Sequence, residues 1–144
     1  MESKYLFYAQ IILLLLLFYF GSFSTIFSNA LLAITLITGL ILALWAYYNM
    51  GSKIYSPFPQ PRKGSKIVEG GPYKYIRHPM YAGLLLISIV LFLSQANFLN
   101  FFILMIFVYV TNEKATLEEK LLTNLHNQYT DYAIKTKMFI PFLY

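Results

Sequence analysis

One short block of the chain groups two cations, a histidine and three tyrosines. Residues 71–83 read GPYKYIRHPMYAG and place Arg77, His78 and Tyr81 directly before an apolar run. Pro79 favours an extended His78 and suits the first turn of a helix, where free backbone N–H groups attract an anion. The block therefore predicts a binding site for an anionic or polar ligand at a helix start. An interfacial helix cap with a lipid-bound arginine explains the same residues.

A second group of charges follows further along the chain. Lys114 and Glu118 are four residues apart, so they share one face of a helix, and Glu119 is adjacent. One carboxylate could bind a cation or hydroxyl groups, with the lysine holding an anion beside it; solvated surface charges are the alternative. The chain has no cysteine, which excludes a thiolate nucleophile or a thiolate metal site. His126 has no partner at metal-binding spacing, so no metal site is expected.

The elements that position these groups are apolar helices. No charged residue lies from Tyr5 to Ser52, and none lies from His78 to Asn112. A helix needs about 20 apolar residues to cross a bilayer, so we predict four transmembrane helices. Their ranges are about 5–26, 30–50, 79–95 and 98–114. A soluble helical bundle would need polar faces that the first helix lacks, and a cleaved signal peptide would have a shorter apolar run.

The basic residues predict the orientation of these helices. All 11 lysines and arginines precede the first helix, lie in the loop between the second and third, or follow the fourth. Four crossings bring these three segments to one side, which the positive-inside rule makes cytoplasmic. The net charge of +5 then attracts anionic lipid headgroups, and nucleic acid is not an expected partner.

The predicted fold class is therefore an all-α integral membrane protein with two parts. Residues 1–50 form two N-terminal transmembrane helices. Residues 51–144 form the functional core, with a cytoplasmic loop, a helical hairpin and a C-terminal helix. That last helix is amphipathic, since leucines recur on one face between Leu117 and Leu125.

Together these groups resemble the integral-membrane methyltransferases related to isoprenylcysteine carboxyl methyltransferase, whose relatives include the phospholipid N-methyltransferases. The shared signature is Gly-x-Tyr, Arg-His-Pro-x-Tyr-x-Gly, a hydrophobic helical hairpin, Glu-Glu, Tyr-x-x-Tyr and a terminal Phe-x-Pro-Phe. In this sequence it is formed by Gly71, Tyr73, Arg77, His78, Pro79, Tyr81, Gly83, Glu118, Glu119, Tyr129, Tyr132, Phe139, Pro141 and Phe142. The resemblance covers roughly residues 55–144.

The resemblance implies S-adenosylmethionine as cofactor and a lipophilic methyl acceptor, with a prenylcysteine-like carboxylate as one candidate. By position, the expected cofactor-binding residues are Lys66, Ile67, Val68, Tyr73, His78, Pro79, Met80, Tyr81 and Glu118. Lys114 and Glu118 are the expected catalytic residues, and Arg77 and Lys114 the expected substrate contacts. The family has arginine where Lys114 stands, arginine where Met138 stands, and Phe-Gly in place of Leu125-His126.

Two other functions stay open at this point. Some sterol reductases that use NADPH carry a similar Arg-His-Pro-x-Tyr element, although this chain is short for their additional helices. A membrane accessory protein without activity is the other alternative, because of the departures at Met138 and Leu125-His126.

Overall fold

A computed structural model describes residues 3–51, 56–60 and 66–141. Within these ranges the chain is helical, and its one β-type pairing is a parallel bridge between Ile76 and Lys137. The elements are α1 (Ser3–Phe20), α2 (Phe23–Ser28), α3 (Ala30–Met50), a 3-10 turn η1 (Gly71–Lys74), α4 (Pro79–Ser94), α5 (Phe98–Leu125) and α6 (Tyr129–Lys135). The predicted all-α class is confirmed.

The first predicted helix, 5–26, is interrupted near its end. α1 stops at Phe20 and α2 begins at Phe23, because Ser22 adopts an extended backbone and its side chain accepts a hydrogen bond from the Thr25 N–H. The Ser22 N–H donates to the Ser94 hydroxyl at 2.9 Å. This bond fastens the corner between α1 and α2 to the last turn of α4.

α3 and α4 are packed closely through small residues. A Cβ on Gly83 would stand 2.6 Å from the Gly39 carbonyl oxygen and 2.9 Å from the Ala43 Cβ, so no side chain fits there. Backbones that approach this closely gain dispersion contacts along their length. α1 packs against α5 in the same bundle, so residues from both predicted parts of the chain surround the site.

α5 is longer than the predicted fourth span of 98–114. It runs without a break from Phe98 to Leu125, roughly 42 Å at the standard rise. The sequence beyond residue 114 holds no proline or glycine and several good helix formers, so nothing ends the helix there. The predicted amphipathic helix is thus the second half of α5, and α6 is an additional short helix.

Two of the helices, α3 and α5, are long and apolar enough to cross a membrane, while α1 and α4 are apolar but shorter. The outer face of α3 is apolar and is not covered by other elements: Leu31 is 72% exposed and Leu44 is 67% exposed. The interior is filled by apolar side chains, among them Leu17, Ile26, Ile87, Val90 and Leu91. This arrangement is typical of a membrane protein, whereas the number of crossings stays a prediction.

Candidate functional site

His78 lies between two carboxylates at the start of α4. Pro79 occupies the first helical position, and the His78 side chain makes no capping bond, so its ring is available for other contacts. Its Nε2 lies 3.0 Å from Glu119 Oε1, and its Nδ1 lies 3.5 Å from Glu118 Oε2. Burial alone would lower the pKa of His78, but hydrogen bonds and charge from both glutamates outweigh it, and the pKa is raised.

Glu118 is held from two sides. The Tyr81 hydroxyl donates a hydrogen bond to Glu118 Oε1, while His78 approaches the other oxygen. The rings of His78 and Tyr81 are stacked, with centroids 5.5 Å apart and an interplanar angle of 4°. One turn of α4 therefore presents both groups to a single carboxylate on α5.

Arg77 binds the C-terminal tail. Its Nε donates to Glu119 Oε1 at 2.6 Å, and its Nη1 donates to the carbonyl oxygens of Ala133 and Thr136. The backbone adds to this, since the Arg77 N–H donates to the Lys137 carbonyl at 2.7 Å. Arg77, an expected substrate contact, therefore links the start of α4 to α5 and to the end of α6 through these hydrogen bonds.

Two small chambers meet at this centre. We call the first the loop chamber; it has a volume of about 110 Å³ and lies between the loop, α5 and α6. We call the second the helix chamber; it has a volume of about 120 Å³ and lies between α1, α4 and α5. Both are lined by Met50, Ser56, Tyr73, His78 and Glu118. Glu118 and His78 thus stand in the wall between two compartments.

The expected cofactor residues divide between the two chambers. Six of the nine line the loop chamber: Lys66, Ile67, Val68, Tyr73, His78 and Glu118. Met80 and Tyr81 line the helix chamber. Pro79 is buried beneath them at the start of α4. Phe142, part of the terminal motif, lies outside the described residues.

Lys114 lies in the helix chamber and is 3% exposed. Its ammonium donates to the Gln10 side-chain oxygen at 3.0 Å and lies 5.1 Å and 5.0 Å from the ring centroids of Phe7 and Tyr81. The Gln10 amide in turn donates to the Thr111 hydroxyl at 3.0 Å. The sequence reasoning missed Gln10 and Thr111, although a lone amide inside an apolar helix was a visible signal.

Two tyrosines of α6 close the loop chamber. The Tyr132 hydroxyl donates to the Tyr73 carbonyl at 2.7 Å, which ties α6 to η1. Burial raises the pKa of both Tyr129 and Tyr132, so their hydroxyls stay protonated at neutral pH. Their rings add aromatic surface beside Glu118.

Of the three departures from the family signature, Lys114 lines the helix chamber, whereas Met138 and Leu125-His126 lie outside both chambers. Met138 is buried in a small apolar cluster with Ala115 and Phe139, so an apolar side chain fits the position where the family has arginine. His126 follows the last turn of α5, where its N–H donates to the Leu122 carbonyl.

The side chains of the loop chamber fit S-adenosylmethionine by chemistry. A sulfonium is stabilised by a carboxylate and by aromatic faces, and Glu118, Tyr73 and Tyr129 supply these. The volume is below the roughly 300–1,000 Å³ of ordinary ligand pockets. S-adenosylmethionine therefore fits this chamber only if the chamber widens.

A larger cavity of about 820 Å³ lies on another side of α4 and is almost entirely apolar. It shares no lining residue with either chamber. Trp45 and Ile89 flank it on α3 and α4, and Met105 flanks it on α5. Despite its size it offers few polar groups for chemistry, so we place the functional site at the two smaller chambers.

Comparison with known proteins assigns the family. No curated protein matches the chain. The family model for phospholipid methyltransferases matches residues 26–129, which include η1, α4, α5 and the residues around Glu118. The match spans well over half of the sequence, and the chain belongs to the phospholipid methyltransferase family.

Proposed function

We propose that the protein transfers a methyl group from S-adenosylmethionine to a lipophilic acceptor at the cytoplasmic face of a membrane. The observation that carries this proposal is the wall of His78 and Glu118 shared by the loop chamber and the helix chamber. A methyl donor in one chamber and an acceptor in the other would both lie next to His78 and Glu118, close enough to react. Family membership supports methyl transfer and gives no support to the NADPH reductase alternative.

The loop chamber is the proposed cofactor site. S-adenosylmethionine supplies, when bound, a methyl group already activated on a sulfonium. The protein then mainly has to align the reacting atoms and exclude water. Glu118 is suited to hold the positive charge, and Tyr81 and His78 fix the direction of its carboxylate. Lys66, Ile67 and Val68 would line the remainder of the cofactor.

The helix chamber is the proposed acceptor site, and a carboxylate is the acceptor that its chemistry favours. Lys114 provides a buried positive charge there, and a carboxylate is already a nucleophile at neutral pH. An amine acceptor would have to lose a proton and approach the ammonium of Lys114. A prenylcysteine-like carboxylate fits these conditions, with an apolar tail toward Phe7, Ile11 and Leu84.

Binding of S-adenosylhomocysteine, measured by calorimetry on detergent-purified protein, tests the cofactor site. We expect the wild type to bind both S-adenosylhomocysteine and S-adenosylmethionine. Glu118→Gln should lose about tenfold or more in affinity for S-adenosylmethionine, since the carboxylate proposed to face the sulfonium is removed, and should lose less for S-adenosylhomocysteine, whose sulfur is uncharged. Glu113→Gln, on the same helix and outside both chambers, is the matched control and should bind as the wild type does. A folded, monodisperse wild type that binds NADPH and no S-adenosylhomocysteine would refute the proposal.

A further inference from the structure

The first helix contributes a polar side chain to the helix chamber. Gln10 is the amide of α1 that faces the bundle interior, and it is only 2% exposed. Its side chain bridges two residues of α5: the Nε2 donates to Thr111, and the Oε1 accepts from Lys114. The family match begins at residue 26, so this helix lies outside it.

Lys114 has no ion-pair partner among the described residues, although the charge of Glu118 attracts it. Its hydrogen-bond partner Gln10 is neutral. Glu118, one turn further along α5, has its oxygens engaged by Tyr81 and His78. A buried cation is costly unless it is paired, so the chamber holds an unused attraction for an anion.

Lys114 determines which end of the Gln10 amide faces it. An ammonium is only a donor, so the amide oxygen accepts from Lys114, and the amide Nε2 then donates to the Thr111 hydroxyl at 3.0 Å. A neutral oxygen at 3.0 Å orients Lys114 without forming an ion pair with it. A carboxylate in the same place would pair with the lysine internally.

We propose that Gln10 is a positioning residue that presents Lys114 as a receptor for an oxyanion, so that α1 selects anionic over amine acceptors. This inference rests on the proposed function for its catalytic meaning. The binding preference itself is argued from the contacts of Lys114 and Gln10 and does not depend on the cofactor.

The test uses octanoate and octylamine, two probes with the same tail length and opposite head-group charge. Dissociation constants are measured by ligand-observed NMR on the full chain, with and without S-adenosylhomocysteine. We expect the wild type to bind octanoate more tightly than octylamine. The near-isosteric Gln10→Glu should lower octanoate affinity by about tenfold or more and remove the preference, because the new carboxylate occupies Lys114.

Two further variants complete the design. Thr111→Val removes the hydroxyl that accepts from the Gln10 amide and should cause a smaller loss of octanoate affinity. It serves as the second variant if Gln10→Glu fails to fold. Gln95→Leu changes an exposed glutamine at the end of α4 and should bind both probes as the wild type does. Gln95→Leu should also bind S-adenosylhomocysteine as the wild type does.

The outcomes separate the two proposals. A wild type without a preference for octanoate, or a folded Gln10→Glu that keeps the preference, overturns the role of Gln10. A wild type that prefers octanoate but binds no S-adenosylhomocysteine refutes the cofactor proposal and leaves the role of Gln10 supported.

Discussion

At the scale of single residues, the protonation state of His78 affects the stability of the folded protein. Its ring is 6% exposed and contacts both Glu118 and Glu119, which together raise its pKa despite the opposing effect of burial. Because the pKa is higher in the folded chain than in the unfolded one, protonation of His78 stabilises the folded state. This contribution is complete below the unfolded pKa and is lost as pH rises through the folded pKa.

We therefore expect the thermal unfolding temperature to fall as pH rises above 6.5, the ordinary pKa of histidine, and through the higher pKa of His78 in the folded chain. His78→Gln removes the titrating group and should flatten this dependence, as measured by scanning fluorimetry in detergent. Gln95→Leu, which changes an exposed side chain at the end of α4, is the control and should keep the slope of the wild type. Parallel curves for the wild type and His78→Gln would contradict the assignment.

At the scale of elements, the sequence indicated the helices better than it indicated their ends. The range 30–50 coincides with α3, because an asparagine cap precedes it and a glycine follows it. The break at Gly21 was not predicted, since it depends on Ser94 of a distant helix as well as on local residues. Sequence spacing alone does not predict the contact between His78 and Glu118 either, because the two residues are far apart in the chain. Only the family resemblance indicated that they belong to one site.

The closeness of α3 and α4 gives a prediction at this scale. Gly83→Ala should destabilise the protein by about 1–3 kcal/mol, because the new Cβ would overlap the backbone of Gly39 and Ala43. Gly70→Ala is the matched control: its φ is −88°, and its Cβ would meet only Asn49 at 3.8 Å. Thermal unfolding in detergent compares the two. Equal stability of both variants would show that the helices can move apart at no cost.

At the scale of the whole molecule, the predicted orientation can be tested directly because the chain has no cysteine. Single cysteines introduced by Lys74→Cys, in η1, and Ala96→Cys, in the turn between α4 and α5, give two exposed reporters. With four crossings, an impermeant maleimide should label Ala96→Cys in intact cells and Lys74→Cys only after permeabilisation. The wild type should stay unlabelled, and labelling of both variants from one side would contradict the topology.

The wall shared by the two chambers has a thermodynamic consequence. A ligand in the loop chamber and a ligand in the helix chamber both contact His78 and Glu118, so each changes the environment of the other. Coupling between two sites is reciprocal. The factor by which S-adenosylhomocysteine changes the affinity for octanoate must therefore equal the factor by which octanoate changes the affinity for S-adenosylhomocysteine.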